Sequence, residues 1–262
     1  LFFLIYLLLF SIAYSDDFPK IYGCFCEGGI ITAQISQTDK LKIDGNKVVL
    51  YEGGRFIFAF GRKYKENTTI EVNDLSKTFK VLDKDYKIER IKGLPKNKVE
   101  PSKEELNRIV SDQKKIKDSK KISLTQKLFS EKFILPSKGR LSGVYGSQRI
   151  LNSKPRKPHA GIDIAAKQGT SIVAPSSGKV KLVSKNMFFT GNTVILDHGI
   201  GLISIFAHLK DILVGEGDYI SKGENIGTIG MTGRATGPHL HWGVYLKNTS
   251  VDPLTLIEYE LY

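Results

Sequence analysis

From Phe133 to the C-terminus, glycines punctuate short runs of β-branched and aromatic residues, among them Thr193-Val194-Ile195-Leu196 and Leu202-Ile203-Ser204-Ile205-Phe206. Such runs suit pleated, packed strands. The pattern predicts a mainly β fold, with an antiparallel β-sheet or sandwich over residues 133–262 rather than a series of βαβ units. No internal repeat of solenoid length is present. Of the 262 residues, 41% are hydrophobic and 10% aromatic, enough for a packed core, which excludes disorder throughout.

Ahead of this stretch the composition changes twice. Residues 16–95 read as a small β domain: KLKIDGNKVVLYEGGRFIFAFGRKY alternates with period two and is broken by Asp44-Gly45 and Gly53-Gly54. It holds no histidine and no acidic cluster, so nothing there points to catalysis. Residues 96–132 read as a helical basic linker. Ser102 and Glu105 fit a capping box, and Leu106, Ile109, Val110 and Ile116 follow at helical spacing. Its tail, KKIKDSKK, is expected to be a solvated basic face, with peripheral contact to an anionic membrane or wall as its sharper use.

The chain opens on LFFLIYLLLFSIA followed by Tyr14-Ser15, an apolar run and small-residue site that read as a signal peptide over residues 1–15. The expected location is therefore outside the cytoplasm, in the periplasm or cell envelope of a bacterium. A formal charge of +12 calls for an anionic partner, and export argues for the wall polymer or lipid head groups and against nucleic acid. Cys24 and Cys26 are the only cysteines. On a continuous strand their Cα atoms would lie near the limit of about 7 Å for a bridge, so they are expected to be two small buried residues.

All five histidines fall after Phe133. Two of them stand one residue apart in Gly237-Pro238-His239-Leu240-His241-Trp242-Gly243. On an extended strand His239 and His241 share a face and Leu240 takes the other. In His159-Ala160-Gly161-Ile162-Asp163-Ile164, offsets of two and four put His159 and Asp163 on one face, with Gly161 leaving room between them for an ion. A zinc ion that does chemistry takes three ligands from His, Asp or Glu and keeps a fourth position for water. His159 and Asp163 supply two. One of His239 and His241 supplies the third and leaves the other for acid–base work; spacing alone does not say which. His198, in Asp197-His198-Gly199, reads as a hydrogen-bonded turn residue outside the site.

Together HAGID, FAHL and TGPHLHW resemble the lysostaphin-type (LytM-type) zinc endopeptidases, which cleave peptide cross-links of peptidoglycan. The resemblance covers residues from about 133 to 257, including Gly143-Val144-Tyr145-Gly146-Ser147-Gln148-Arg149 and Val251-Asp252-Pro253. It implies a zinc metallopeptidase domain over residues 133–262, with one Zn2+ per chain held by His159, Asp163 and His241. His208 and His239 fall on the two catalytic histidines: His239 would take the proton of the attacking water, and His208 would donate to the oxyanion. The implied activity is hydrolysis of peptidoglycan cross-links in wall remodelling. The alternative is a catalytically inactive member that regulates other wall hydrolases, although all five positions are intact here. Phe206 stands where many relatives have tyrosine, and Trp242 where phenylalanine is frequent. Two uses of the residues before Phe133 stand side by side: they lie over or beside the groove and limit access of large substrates, or they only bind the wall or space the catalytic domain from the membrane.

Overall fold

The computed structural model describes residues 18–93, 99–121, 124–129, 132–259 and 261; the apolar run read as a signal peptide lies outside them. From Arg140 onward the chain builds one ten-stranded sheet. Its main path runs Tyr219–Ile220, Gly178–Met187, Gly191–Asp197, Leu202–Ile212, His239–Leu246, Ile162–Ala165, Arg140–Gly143. Every pairing in it is antiparallel. The expected antiparallel, mainly β fold is the one adopted.

The central strands read as unbroken apolar runs because both of their faces are covered. Val194, Leu196, Leu202, Phe206, Leu240, Trp242 and Val244 enter one core. Their neighbours Ile195, Ile203 and Ile205 enter a second, with Tyr245 and with Ile116 of the Lys103–Ser119 helix. That helix starts on the expected capping box: the Ser102 hydroxyl accepts from the Glu105 N–H, and the Glu105 carboxylate accepts from the Ser102 N–H. Only part of its apolar spacing is used for packing. Ile109 is buried and Ile116 packs on the sheet, whereas Leu106 and Val110 face solvent. In the basic tail, Lys114, Lys115, Lys117 and Lys121 are solvated as expected. Lys120 departs from that reading: its Nζ lies 3.2 Å from the centroid of the Tyr245 ring, and burial lowers it to about 8.

The N-terminal strands share their side chains between two cores. In Arg55–Ala59, Phe56 packs with Ile31, Ile43 and Phe60 in a small core of its own region. Ile57 and Ala59, on the other face, join Ile30, Phe129, Phe133 and Ile162 in the large core. Further on, Ile88–Ile91 pairs in parallel with Gln148–Leu151 and sets Glu89 opposite Arg149. Cys24 and Cys26 form a disulfide, which corrects the expectation of two unpaired residues. The strand Tyr22–Gly23 ends before them and the chain turns, so their Cα atoms are 5.3 Å apart, well inside bridging range. No helix among the described residues is long and apolar enough to cross a membrane.

Candidate metal centre

The shared face expected of His239 and His241 is observed. Both line an open cleft, while Leu240 and Trp242 between and beside them are buried in the core. Register carries Asp163 opposite His241, across the pairing of Ile162–Ala165 with His239–Leu246. His159 enters from the segment just before that strand. The result is a triangle: His159 Nε2, Asp163 Oδ1 and His241 Nδ1 lie 2.9 to 3.0 Å from one another. His159 and Asp163 are 5% and 6% exposed, so these polar atoms face one another largely out of bulk solvent.

Gly161 serves this geometry differently from the sequence expectation. A β carbon there would sit 2.3 Å from the Trp242 carbonyl oxygen, so glycine is required by the close approach of the His239–Leu246 strand and not by room for an ion. The space beside the carboxylate comes from Gly143, where a β carbon would stand 2.5 Å from Asp163 Oδ2.

Protons can be placed on three of the rings. His159 Nδ1 lies 3.0 Å from the Val144 carbonyl, which can only accept, so the proton is on Nδ1 and Nε2 turns a lone pair to the triangle. In the neutral ring Nε2 faces Asp163 Oδ1 as lone pair against lone pair, and a single N–H on His241 cannot satisfy both, so the three atoms call for a further proton or a metal cation among them. Two imidazole nitrogens with one carboxylate oxygen are the donor set of a three-ligand zinc site. Burial would raise the Asp163 carboxyl, but where the imidazoles of His159 and His241 bring N–H groups to it, their hydrogen bonds and charge outweigh burial and hold it well below the ordinary carboxylate range. Its outer oxygen, Oδ2, accepts from Arg149 Nη2. Arg149 Nε donates in turn to Glu89 Oε2 at 3.2 Å.

His239 Nδ1 donates to the Gly237 carbonyl at 2.9 Å, which turns Nε2 into the cleft, 4.0 Å from Asp163 Oδ1. His208 arrives through a bulge. Phe206 pairs with Val194 and Leu209 with Asn192, so the Leu202–Ile212 strand carries one extra residue here, and His208 has φ 68°. A non-glycine residue in the left-handed region is strained, and bulges of this kind re-aim a side chain beside a site. His208 Nδ1 donates to the Thr232 carbonyl at 2.8 Å, and its ring centroid is 4.7 Å from that of His239 and 6.4 Å from that of His241. Burial, aided by the charges of His239 and His241, pushes His208 down to about 3, so the ring is neutral. His198 lies apart, fully buried against Ser177 and Ser204.

The cleft has a volume of about 470 Å³ and draws in residues that motif reading passed over. Arg149, Arg234 and Glu89 line it, Glu89 from the part of the chain expected to flank the groove. Arg149 carried a signal, since it closes the Gly143–Arg149 segment ahead of the first ligand motif. Glu89 carried none.

Residues 157–253 match the sequence profile of peptidase family M23. An uncharacterized metalloprotease of Haemophilus influenzae is 39% identical over 100 residues, 38% of this chain and 21% of its own length. The peptidoglycan DD-endopeptidase ShyA of Vibrio cholerae is 34% identical over 125 residues, 47% of this chain and 29% of its own length. The matched stretch thus spans less than a third of either relative. A crystal structure of a Pseudomonas aeruginosa protein ascribed to peptidase M23 superposes with a TM-score of 0.59 at 29% identity, over 88% of this chain and 94% of that one. That likeness extends well beyond residues 157–253.

Proposed function

We propose that, through residues 157–253, which match the profile of peptidase family M23, the protein acts as a zinc-dependent endopeptidase that hydrolyses peptide cross-links of bacterial peptidoglycan during wall remodelling. One observation carries the reading: three facing donor atoms within 3.0 Å of each other in a cleft, with two more histidine rings beside them. The activity named for ShyA supports the choice of substrate, and the apolar N-terminal run supports action outside the cytoplasm.

In this reading His159, Asp163 and His241 hold the zinc, and His208 and His239 are the catalytic histidines. A zinc ion there would polarise the scissile carbonyl and acidify the attacking water. His239, with its Nδ1 proton tied to Gly237, presents Nε2 as the acceptor for the water proton. His208, neutral and with its Nδ1 proton tied to Thr232, also presents Nε2 as an acceptor, so it would donate to the oxyanion once the proton that His239 takes from the attacking water has been passed on to it. Arg149 fixes the Asp163 carboxylate from outside the triangle.

Digestion of purified wall sacculi with mass analysis of the fragments tests the reading. New amine and carboxyl ends at peptide cross-links, abolished by a chelator and restored by zinc, are expected. Sacculi left intact by zinc-loaded protein would overturn it.

A further inference from the structure

The Lys103–Ser119 helix belongs to the part of the chain that holds no histidine, yet its polar side chains reach a hairpin of the sheet that carries the site. Two of them take backbone groups there. Asp112 Oδ2 accepts from the Phe188 N–H at 2.8 Å, and Arg108 Nη2 donates to the Asn186 carbonyl, with the guanidinium 5.9 Å from the centroid of the Phe188 ring. Apolar contacts anchor the same helix: Ile116 packs with Ile195, Ile203 and Ile205, and Ile109 is buried. The helix is therefore docked, and the two polar holds start from a fixed base.

The hairpin joins Gly178–Met187 to Gly191–Asp197, and its ladder is irregular at the turn: Ser184 faces Thr193 and Met187 faces Gly191, so three steps along one strand meet two along the other. Asn186, inside this slip, has φ 56°, and the backbone groups taken by the helix bracket Met187 on either side. From the tip the hold passes to His208. Its backbone N–H, in the left-handed bulge, donates to the Thr190 carbonyl at 2.8 Å. The Asn192 N–H donates to the Thr232 hydroxyl at 2.9 Å, and the Thr232 carbonyl is the acceptor of the His208 ring proton. Hairpin and Thr232 are in close contact, since a β carbon on Gly191 would stand 2.2 Å from Thr232 Oγ1. A shift of the hairpin thus moves both the backbone and the ring partner of His208.

We propose that Asp112 and Arg108 are positioning residues for His208: from the helix they clamp the turn at residues 186–191, and the turn holds the His208 imidazole in place beside His239. Neither side chain lines the cleft. The inference rests on the endopeptidase reading above, in which His208 is catalytic, and gives part of the chain before Phe133 a use other than covering the groove or spacing the domain. It completes the catalytic geometry. Misplacing a catalytic group by about 1 Å can cost on the order of 10²-fold in rate even when the altered residue is remote from the chemistry.

The test uses the full chain loaded with zinc and a soluble cross-linked peptide prepared from wall sacculi. Asp112→Ala removes the acceptor of the Phe188 N–H, so kcat should fall roughly tenfold while KM stays within about twofold of the native value. Zinc should remain at one per chain and circular dichroism should be unchanged. In nitrogen NMR the ring signals of His208 should move, and those of His159 and His241 should not. Asp112→Asn keeps an oxygen acceptor and should bring kcat back to within about threefold of native. Arg108→Met removes the second hold and should repeat the Asp112→Ala pattern, which decides the matter if Asp112→Ala does not fold. Val110→Ala, at an exposed position of the same helix, should behave as the native chain. Unchanged kcat and unchanged His208 signals in Asp112→Ala and Arg108→Met would overturn the proposal. So would loss of zinc or of the native dichroism in both, which would make the helix structural support alone. Sacculi and peptide left intact by the native chain would overturn the endopeptidase reading, and the His208 signals would still decide whether the helix positions that ring.

Discussion

Asp163 is asked to face two ways at once, with Oδ1 toward two imidazole nitrogens and Oδ2 toward Arg149. Removing one member of the triangle should show how the labour is divided. His241→Ala deletes a donor, and zinc by elemental analysis should fall from one per chain to near zero after dialysis. His239→Ala removes a proton acceptor 4.0 Å outside the donor set, so zinc should stay while turnover falls by roughly 10²- to 10⁴-fold. Loss of zinc in that variant would mean that the two histidines have exchanged roles. Arg149→Gln leaves Oδ2 without its cationic partner and should weaken zinc binding by roughly 10- to 100-fold in competition with a chelator. The five histidine and aspartate positions that line the cleft stand in short motifs with fixed offsets, which is what singles them out in the sequence. The tie from Arg149 to Glu89 was not legible there, because it is made by a parallel pairing between residues far apart in the chain.

In His239-Leu240-His241 the strand period told which side chains share a face, whereas the double covering of Leu202–Ile212 shows in the sequence only as an unbroken apolar run. The bulge at His208 was hidden. Nothing in FAHL announces an extra residue in one strand of a pair, since that is set by the register of the neighbour. The helix was legible at its cap and less so along its length, where Val110 keeps the spacing and meets only solvent. His198 shows what the turn beside Asp197 costs in acid. Burial lowers it to about 4 from an ordinary 6.5, so the folded chain holds it neutral where the unfolded chain would protonate it. Stability should thus be full above pH 6.5 and decline as pH falls toward 4, by about 3 kcal/mol from this residue. Denaturant unfolding at several pH values should show this slope in the native chain and a flatter one in His198→Asn. An identical slope in both would place the loss elsewhere.

At the scale of the whole molecule, the N-terminal sheets and the ten-stranded sheet are joined through a common core. Ile30 and Ile57 pack with Phe129, Phe133 and Ile162, and burying each isoleucine is worth roughly 2 kcal/mol. A chain shortened to residues 130–262 should therefore lose about 4 kcal/mol or more of unfolding free energy, or aggregate; an unchanged denaturation midpoint would contradict the common core. Glu89→Gln is then the better probe of how the flanking region acts on the cleft, because it leaves that core alone. Glu89 and Arg149 also stand 60 residues apart along the chain. Contacts of such separation raise contact order, and the entropy of closing their loop must be met before they return any energy. The local hairpins of the ten-stranded sheet need no such closure, so the Asp163 carboxylate is expected to gain its outer support after them, when distant parts of the polypeptide have met.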